Sequence, residues 1–125
     1  MQTTLAVAAG GALGSVARYG VTHWVTGALG PNLWGTFLVN VTGAFALGLL
    51  VGLTEARASL DPVVRAGLAV GVLGGYTTFS TLMYESVREM ENRALWQSAL
   101  NLSGSVAIGL LAVAAGLVAG RSVGA

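Results

Sequence analysis

The sequence predicts an all-α integral membrane protein with four transmembrane helices per subunit, and three observations carry that prediction. Charged residues make up 9% of the chain and apolar residues 54%, against about 25% charged in a typical soluble domain. Mean hydropathy is +0.76. The few charges are also gathered, so that residues 2–17, 19–54, 66–84 and 94–120 contain no Asp, Glu, Lys or Arg. A chain of 125 residues has a large surface for its volume and needs charge to stay in water. A soluble enzyme and a disordered chain are both excluded. A net charge of +1 gives nucleic-acid binding no electrostatic footprint. Without cysteine there is no disulfide framework, thiolate nucleophile or thiolate metal site.

A span needs about 20 mostly apolar residues. The first lies near 3–26 and ends at Gly27-Ala-Leu-Gly-Pro-Asn-Leu33, whose Gly-Pro-Asn core is a turn signal. The second lies near 34–53, the third near 63–90 with a break near 74–79, and the fourth near 95–119. Together they make residues 1–125 a single four-helix transmembrane domain. The small residues Ala6-Val-Ala-Ala9 resemble a cleavage site. However, the stretch lacks a positive n-region and is broken by glycine before Arg18, which argues against a signal peptide. Trp24 near the end of the first span, Trp34 opening the second and Trp96 opening the fourth sit at interfacial levels that tryptophan favours. With the N-terminus inside, Arg57, Arg65 and Arg121 fall inside and Arg88 and Arg93 outside, leaving aside Arg18 within a span. Such a near balance fits a chain that inserts both ways; the other reading is that one arginine decides.

Glycine is frequent, at 19 residues, and it is spaced. Gly10, Gly14 and Arg18 share one face of the first helix, Gly48 and Gly52 repeat the interval, and Ser98, Asn101, Ser105 and Gly109 form a stripe in the fourth. Small residues at that spacing let membrane helices approach closely, which accounts for most of them. Packing does not account for Asn40, one turn after Thr36 in an otherwise apolar span. A bare amide in hydrocarbon costs several kcal/mol, and polar groups at such depth face a bundle interior or a water-filled path. Interhelical hydrogen bonding is the simpler role for Asn40. Arg18 either meets carbonyls or water, or snorkels to the interface.

The third span carries the strongest signal. Gly74-Gly-Tyr-Thr-Thr-Phe-Ser-Thr81 follows an ordinary apolar run, and paired glycines before a β-branched, hydroxyl-rich stretch make a poor helix. The sequence favours a break there, at Gly74 and Gly75, over an intact helix whose threonines bond back to the preceding turn. A break frees helix-end carbonyls and amides, which lipid tolerates only under protein or beside a cavity. Carbonyls then serve a hard cation, and amides and hydroxyls an anion.

Three stretches resemble the signatures of one family. Gly10-Gly-Ala-Leu-Gly-Ser-Val-Ala-Arg-Tyr19, Trp34-Gly-Thr-Phe-Leu-Val-Asn-Val-Thr-Gly43 and Gly71-Val-Leu-Gly-Gly-Tyr-Thr-Thr-Phe-Ser-Thr81 look like those of the Fluc (CrcB) fluoride channels. Asn101-x-x-x-Ser105-x-x-x-Gly109 fits the family's last helix more loosely. The resemblance implies an antiparallel, dual-topology dimer in a prokaryotic inner membrane, passively exporting fluoride through two pores along the subunit interface and so relieving fluoride toxicity. It further implies a structural sodium ion at the dimer centre, on the backbone carbonyls of Gly74 and Thr77. Phe79 would present its ring edge to the anion, with Thr36 and Asn40 nearby and Ser80, Thr81, Asn101 and Ser105 as a track of donors. Arg18 resembles a vestibule arginine, and Glu85 the acidic residue at the end of the third helix. Where the family usually has a second pore phenylalanine, this chain has Leu82. Either Leu82 walls a pore that Phe79 and the donors still serve in a homodimer, or the chain pairs with a sister subunit.

Two rival classes remain on the residues. A small dual-topology, proton-coupled exporter needs a titratable group in the membrane, whereas Glu55, Asp61, Glu85, Glu89 and Glu91 are read as lying in connections or at helix ends. A non-transporting membrane subunit explains the glycines but leaves Asn40 and the broken segment without purpose. No catalytic constellation supports an enzyme.

Overall fold

The computed structural model describes residues 1–56 and 60–124, which form helices joined by short turns, with no strand among them. Arg57, placed on the inner side in the arginine count, lies outside the described residues. Helix α1 spans Gln2–Leu29 and α2 spans Trp34–Ala56. The next stretch, α3, covers residues 62–76 in three parts: an α-helical turn at Pro62–Ala66, a π-helical segment at Gly67–Leu73 and a last turn at Gly74–Tyr76. Thr77 and Thr78 interrupt the helix, after which α4 runs Phe79–Glu91 and α5 Leu95–Gly124.

The ends have local causes. Gly30 takes φ 79° and ψ 177°, a region essentially reserved for glycine, and Pro31 has no N–H to continue the ladder. Asn32 closes the turn. Its Nδ2 donates to the carbonyls of Leu29 and Gly30 at 3.1 and 2.8 Å, and its Oδ1 accepts from the Trp34 N–H at 2.9 Å. Asp61 caps α3 by accepting from the N–H groups of Val63 and Val64 at 2.8 and 3.3 Å. Pro62 follows in the first turn, where a missing donor costs nothing.

Trp34–Ala56, Pro62–Glu91 and Leu95–Val123 are long and apolar enough to cross a membrane. At about 1.5 Å per residue, even the shortest exceeds a hydrocarbon core of about 30 Å. With 28 residues α1 is as long, but Thr3, Thr4, Ser15, Arg18, Thr22, His23 and Thr26 make it more polar.

Two parallel pairs build the bundle. Helices α2 and α5 share the most extensive contact. A Cβ on Gly48, Gly52, Gly116 or Gly120 would collide with the carbonyl oxygens of Val113, Leu117, Phe45 and Leu49 respectively, so the two backbones touch from both sides. Helices α1 and α3 meet likewise, Gly10 against the Gly67 carbonyl, Gly14 against that of Val72, and Gly75 against that of Gly11. Helix α4 runs antiparallel to both α2 and α5, as the pairs Thr36–Glu85, Asn40–Thr78 and Ser98–Ser86 show. The ends of α1 and α4 and the starts of α2 and α5 therefore share one end of the bundle, which brings Trp24, Trp34 and Trp96 to that end, all exposed.

The buried residues are unlike those of a soluble core. Val25, Val39 and Leu82 are the buried large apolar residues among those described, beside Thr36, Thr78, Ser86, Ser98, Asn101 and Ser105. Lipid tails are as apolar as leucine, so close packing and interhelical hydrogen bonds, not hydrophobic burial, hold such bundles together.

The structure corrects the cause of the break. Gly74 is helical, with φ −65° and ψ −36°, and Gly75 lies in the turn that follows. Thr77 and Thr78 are the extended residues, at φ −85°, ψ 156° and φ −150°, ψ 118°. Gly75 serves packing, since a Cβ there would stand 2.6 Å from the Gly11 carbonyl. The apolar run before it is π-helical rather than ordinary, over seven residues, and its wider backbone lies against the glycine face of α1.

Candidate functional site

The interruption at Thr77–Thr78 leaves main-chain groups without helical partners, and neighbouring helices take them up. Asn40 of α2 makes two bonds to one residue. Its Nδ2 donates to the Thr78 carbonyl at 3.0 Å and its Oδ1 accepts from the Thr78 N–H at 2.7 Å. A side-chain amide has one donor face and one acceptor face, so it can replace a peptide partner completely. Two residues further along α2, the Thr42 hydroxyl donates to the Leu38 carbonyl at 2.7 Å and meets the Tyr76 hydroxyl at 3.0 Å. A Cβ at Gly43 would collide with the Thr77 methyl, so that glycine makes room for the break. From α1, Arg18 Nη1 donates to the Thr77 carbonyl at 3.4 Å. Thr78 caps α4, its Oγ1 accepting from the Thr81 N–H at 3.3 Å, as a threonine does at a helix start.

Two cavities flank the break. One of 340 Å³ is lined by Ser15, Arg18, Tyr19, Thr22, Thr36, Thr78, Thr81 and Glu85. Another, of 290 Å³, is lined by Asn40, Gly43, Gly74 and Thr77 with apolar residues of α2 and α3. The first holds both an arginine and a carboxylate. Thr36 donates to Glu85 Oε1 at 2.7 Å, and Glu85 Oε2 is buried with no hydrogen-bond partner among the described residues. This corrects one reading of the acids. Glu85 sits mid-way along α4, packed against α2, and not at a helix end, because α4 continues to Glu91.

The remaining site residues fall elsewhere. Asn101 is buried against Ser86 of α4 beside Ser98, Ser105 lies buried one turn further along α5 against Asn101, and neither Asn101 nor Ser105 lines a cavity. Thr78, Thr81 and Glu85 thus form one polar stripe on α4, facing α1 and α2, while Leu82 and Ser86 form a second, facing α5. Phe79 and Ser80 point away from the interior, Phe79 being 74% exposed, whereas Leu82 is 5% exposed. A single chain therefore brings Arg18, Thr36, Asn40, Thr77 and Thr81 together and leaves Phe79 unpartnered. Residues that the sequence reading did not single out are Thr78, Tyr76, Thr42 and Ser86. Thr78 carried only a weak signal, being a residue type favoured at helix starts, because Thr81 is not the Glu or Gln that would complete a capping box.

The sodium ion implied by the resemblance can be tested against these groups. In an unbroken helix the Gly74 carbonyl would accept from the Thr78 N–H, and the Thr77 carbonyl from the Thr81 N–H. Here those donors go to Asn40 and to Thr78 Oγ1. Both carbonyl oxygens are released from the ladder, with only the long Arg18 contact on that of Thr77. Neutral oxygen donors suit a hard cation, so the residues fit. No group of three or more His, Cys, Asp or Glu residues gathers among the described residues to favour another metal.

Comparison with known proteins gives one answer. Residues 5–117 match the family described as CrcB-like protein, Camphor Resistance (CrcB). The chain is 42% identical over 118 residues to the fluoride-specific ion channel FluC of Acidobacterium capsulatum, covering 94% of each chain. It is 45% identical to that of Agrobacterium fabrum, again over 94% of each. It is 45% identical to that of Thermus thermophilus, over 86% of this chain and 84% of the relative.

Proposed function

The chain belongs to the CrcB family, and on that footing we propose that it is a fluoride-selective channel that lets the ion leave the cell passively and so relieves fluoride toxicity. It is not an enzyme. The observation that carries the reading is the break at Thr77–Thr78, held open inside the bundle by Asn40. A helix is interrupted in a membrane only where protein or a cavity covers the freed groups, and here both do. The named relatives are ion channels, which disfavours a proton-coupled exporter even with Glu85 inside α4.

The proposed assembly has α1 as a fourth span in a bacterial inner membrane, with two copies packed antiparallel. Phe79 and Ser80, exposed in one chain, then face the partner. Sodium would be held at the centre by the Gly74 and Thr77 carbonyls of both copies, and there it ties the two breaks together. Fluoride is small and strongly hydrated, so its water must be replaced by several donors in succession. Hydroxyls and amides do this without the trapping that a fixed positive charge would cause, since conduction needs binding weak enough to leave. The edge of the Phe79 ring carries partial positive charge and adds an attraction with no proton to lose. Leu82, buried within its own chain, walls the path, and a homodimer needs nothing more from it.

The test is fluoride efflux from liposomes loaded with potassium fluoride, read by an ion-selective electrode. Passive conduction moves charge, so efflux is expected to be slow until valinomycin lets potassium follow, and chloride should not pass. Efflux indifferent to valinomycin would mark a neutral, proton-coupled exchange instead. No efflux from folded, dimeric protein would overturn the channel reading.

A further inference from the structure

Ser86 lies in a polar row at the contact between α4 and α5, beside Ser98 and Asn101. We propose that Ser86 is a positioning residue that aims the Asn101 amide and leaves a single N–H of the row for the anion; the inference rests on the channel reading. Ser86 is 2% exposed. Its hydroxyl donates to the Leu82 carbonyl at 2.8 Å, so its one proton is committed to its own helix and only lone pairs face α5. Asn101 stands opposite. Only its Nδ2 can approach those lone pairs favourably, and it does so at 3.4 Å. Its Oδ1 turns the other way and accepts from the Ser105 hydroxyl at 3.4 Å. A flipped amide would set oxygen against oxygen at Ser86, so the orientation follows from where the Ser86 proton lies. Ser98, fully buried, donates to the Ser86 carbonyl at 2.9 Å and pins the register of α5 on α4.

Counting protons gives the consequence. The hydroxyl proton of Ser86 goes to the Leu82 carbonyl, those of Ser98 and Ser105 are committed within the row, and so is one of the two Nδ2 protons of Asn101. The second Nδ2 proton remains. Four polar side chains therefore offer one donor and not a ladder of them, and Ser86 decides where it points. Both Asn101 contacts are long, so the amide is aimed more than it is gripped and can shift toward an arriving anion.

The experiment uses the full-length protein in nanodiscs, labelled with 15N-asparagine, and titrated with sodium fluoride against sodium chloride at equal ionic strength. In the wild type, one Nδ2 proton resonance of Asn101 should move with fluoride while its geminal partner, bonded to Ser86, stays. In Ser86→Ala the two should move together. Efflux through Ser86→Ala should fall about fivefold to tenfold, in keeping with the loss of one neutral hydrogen bond, and Ser86→Thr should restore most of it. Ser98→Ala, which removes a strap without touching the amide, should keep the asymmetric shift. Wild-type protons that move together, or Ser86→Ala efflux equal to wild type, would overturn the proposal. Should Ser86→Ala not fold, the wild-type titration alone decides. A wild-type protein passing no fluoride would instead sink the channel reading.

Discussion

Removing the Asn40 amide tests whether α2 holds the break open. In Asn40→Ala both the Thr78 N–H and the Thr78 carbonyl lose their partner, at 2.7 and 3.0 Å in the wild type. Leaving a buried polar group unsatisfied costs about 1–3 kcal/mol, so two give about 2–6 kcal/mol. Hydrogen bonds inside membrane bundles average about 0.6 kcal/mol in double-mutant cycles, which sets a floor near 1.2 kcal/mol for the pair. The gap between these bounds reflects one escape: Thr78 can fall back into the helix and give its N–H to the Gly74 carbonyl. That closure would withdraw an oxygen from the proposed sodium position. Both routes predict lost function, and stability tells them apart. Asn40→Asp sharpens the test, because it keeps the acceptor for the Thr78 N–H but sets an oxygen against the Thr78 carbonyl. Efflux from liposomes together with steric-trap unfolding in bicelles would measure the two quantities. Asn40→Ala that unfolds within about 0.5 kcal/mol of wild type, less than half the floor, and conducts at the wild-type rate would refute the argument.

Three further outcomes are expected. Gly48→Ala and Gly116→Ala should each lose about 1–3 kcal/mol by overpacking, since the added methyl meets backbone carbonyls that cannot rotate away, while Gly104→Ala and Gly109→Ala, with open space around them, should be silent; the yield of folded protein after gel filtration reads the difference. Phe79→Ala should leave the melting temperature of the single chain's fold nearly unchanged, because the ring is exposed, yet abolish efflux; Leu82→Phe should destabilise by about 1–3 kcal/mol because its site is already filled. Arg121→Ala breaks the exposed ion pair with Glu55, at 2.8 Å, and should cost less than about 1 kcal/mol with fluoride efflux unaltered.

Much of the helical layout was legible because charge marks where hydrocarbon ends. Gly30-Pro31-Asn32 announced its turn through residues whose chemistry is local. The break was harder. Helix propensity points at Gly74 and Gly75, but propensity is a local quantity, and the chain breaks where a partner two helices away can replace the lost peptide bonds. Asn40 lies 38 residues from Thr78, and nothing in either segment announces the pairing. Gly75 misleads for the same reason, since its lack of a side chain serves Gly11. Glu85 read as a helix end because charge clusters behind it, although α4 runs on through Arg88 and Glu89. Thr36 and Asn40 stood out as polar residues in an apolar run. Ser86 did not, because it sits among the polar residues near the end of the span.

The three tryptophans at one end of the bundle carry a consequence for anchoring. Indole rings prefer the headgroup level, so one chain grips a single leaflet and presents the other with the Glu55–Arg121 pair and the aliphatic flanks of α1, α2 and α5. Such a molecule carries an indole belt at one face only. Two copies inserted in opposite senses would place three indoles in each leaflet, giving the pair a girdle at both faces that neither chain has alone. Pairing would thereby set the depth of the broken helices in the bilayer, and with it the level at which an ion must shed its water.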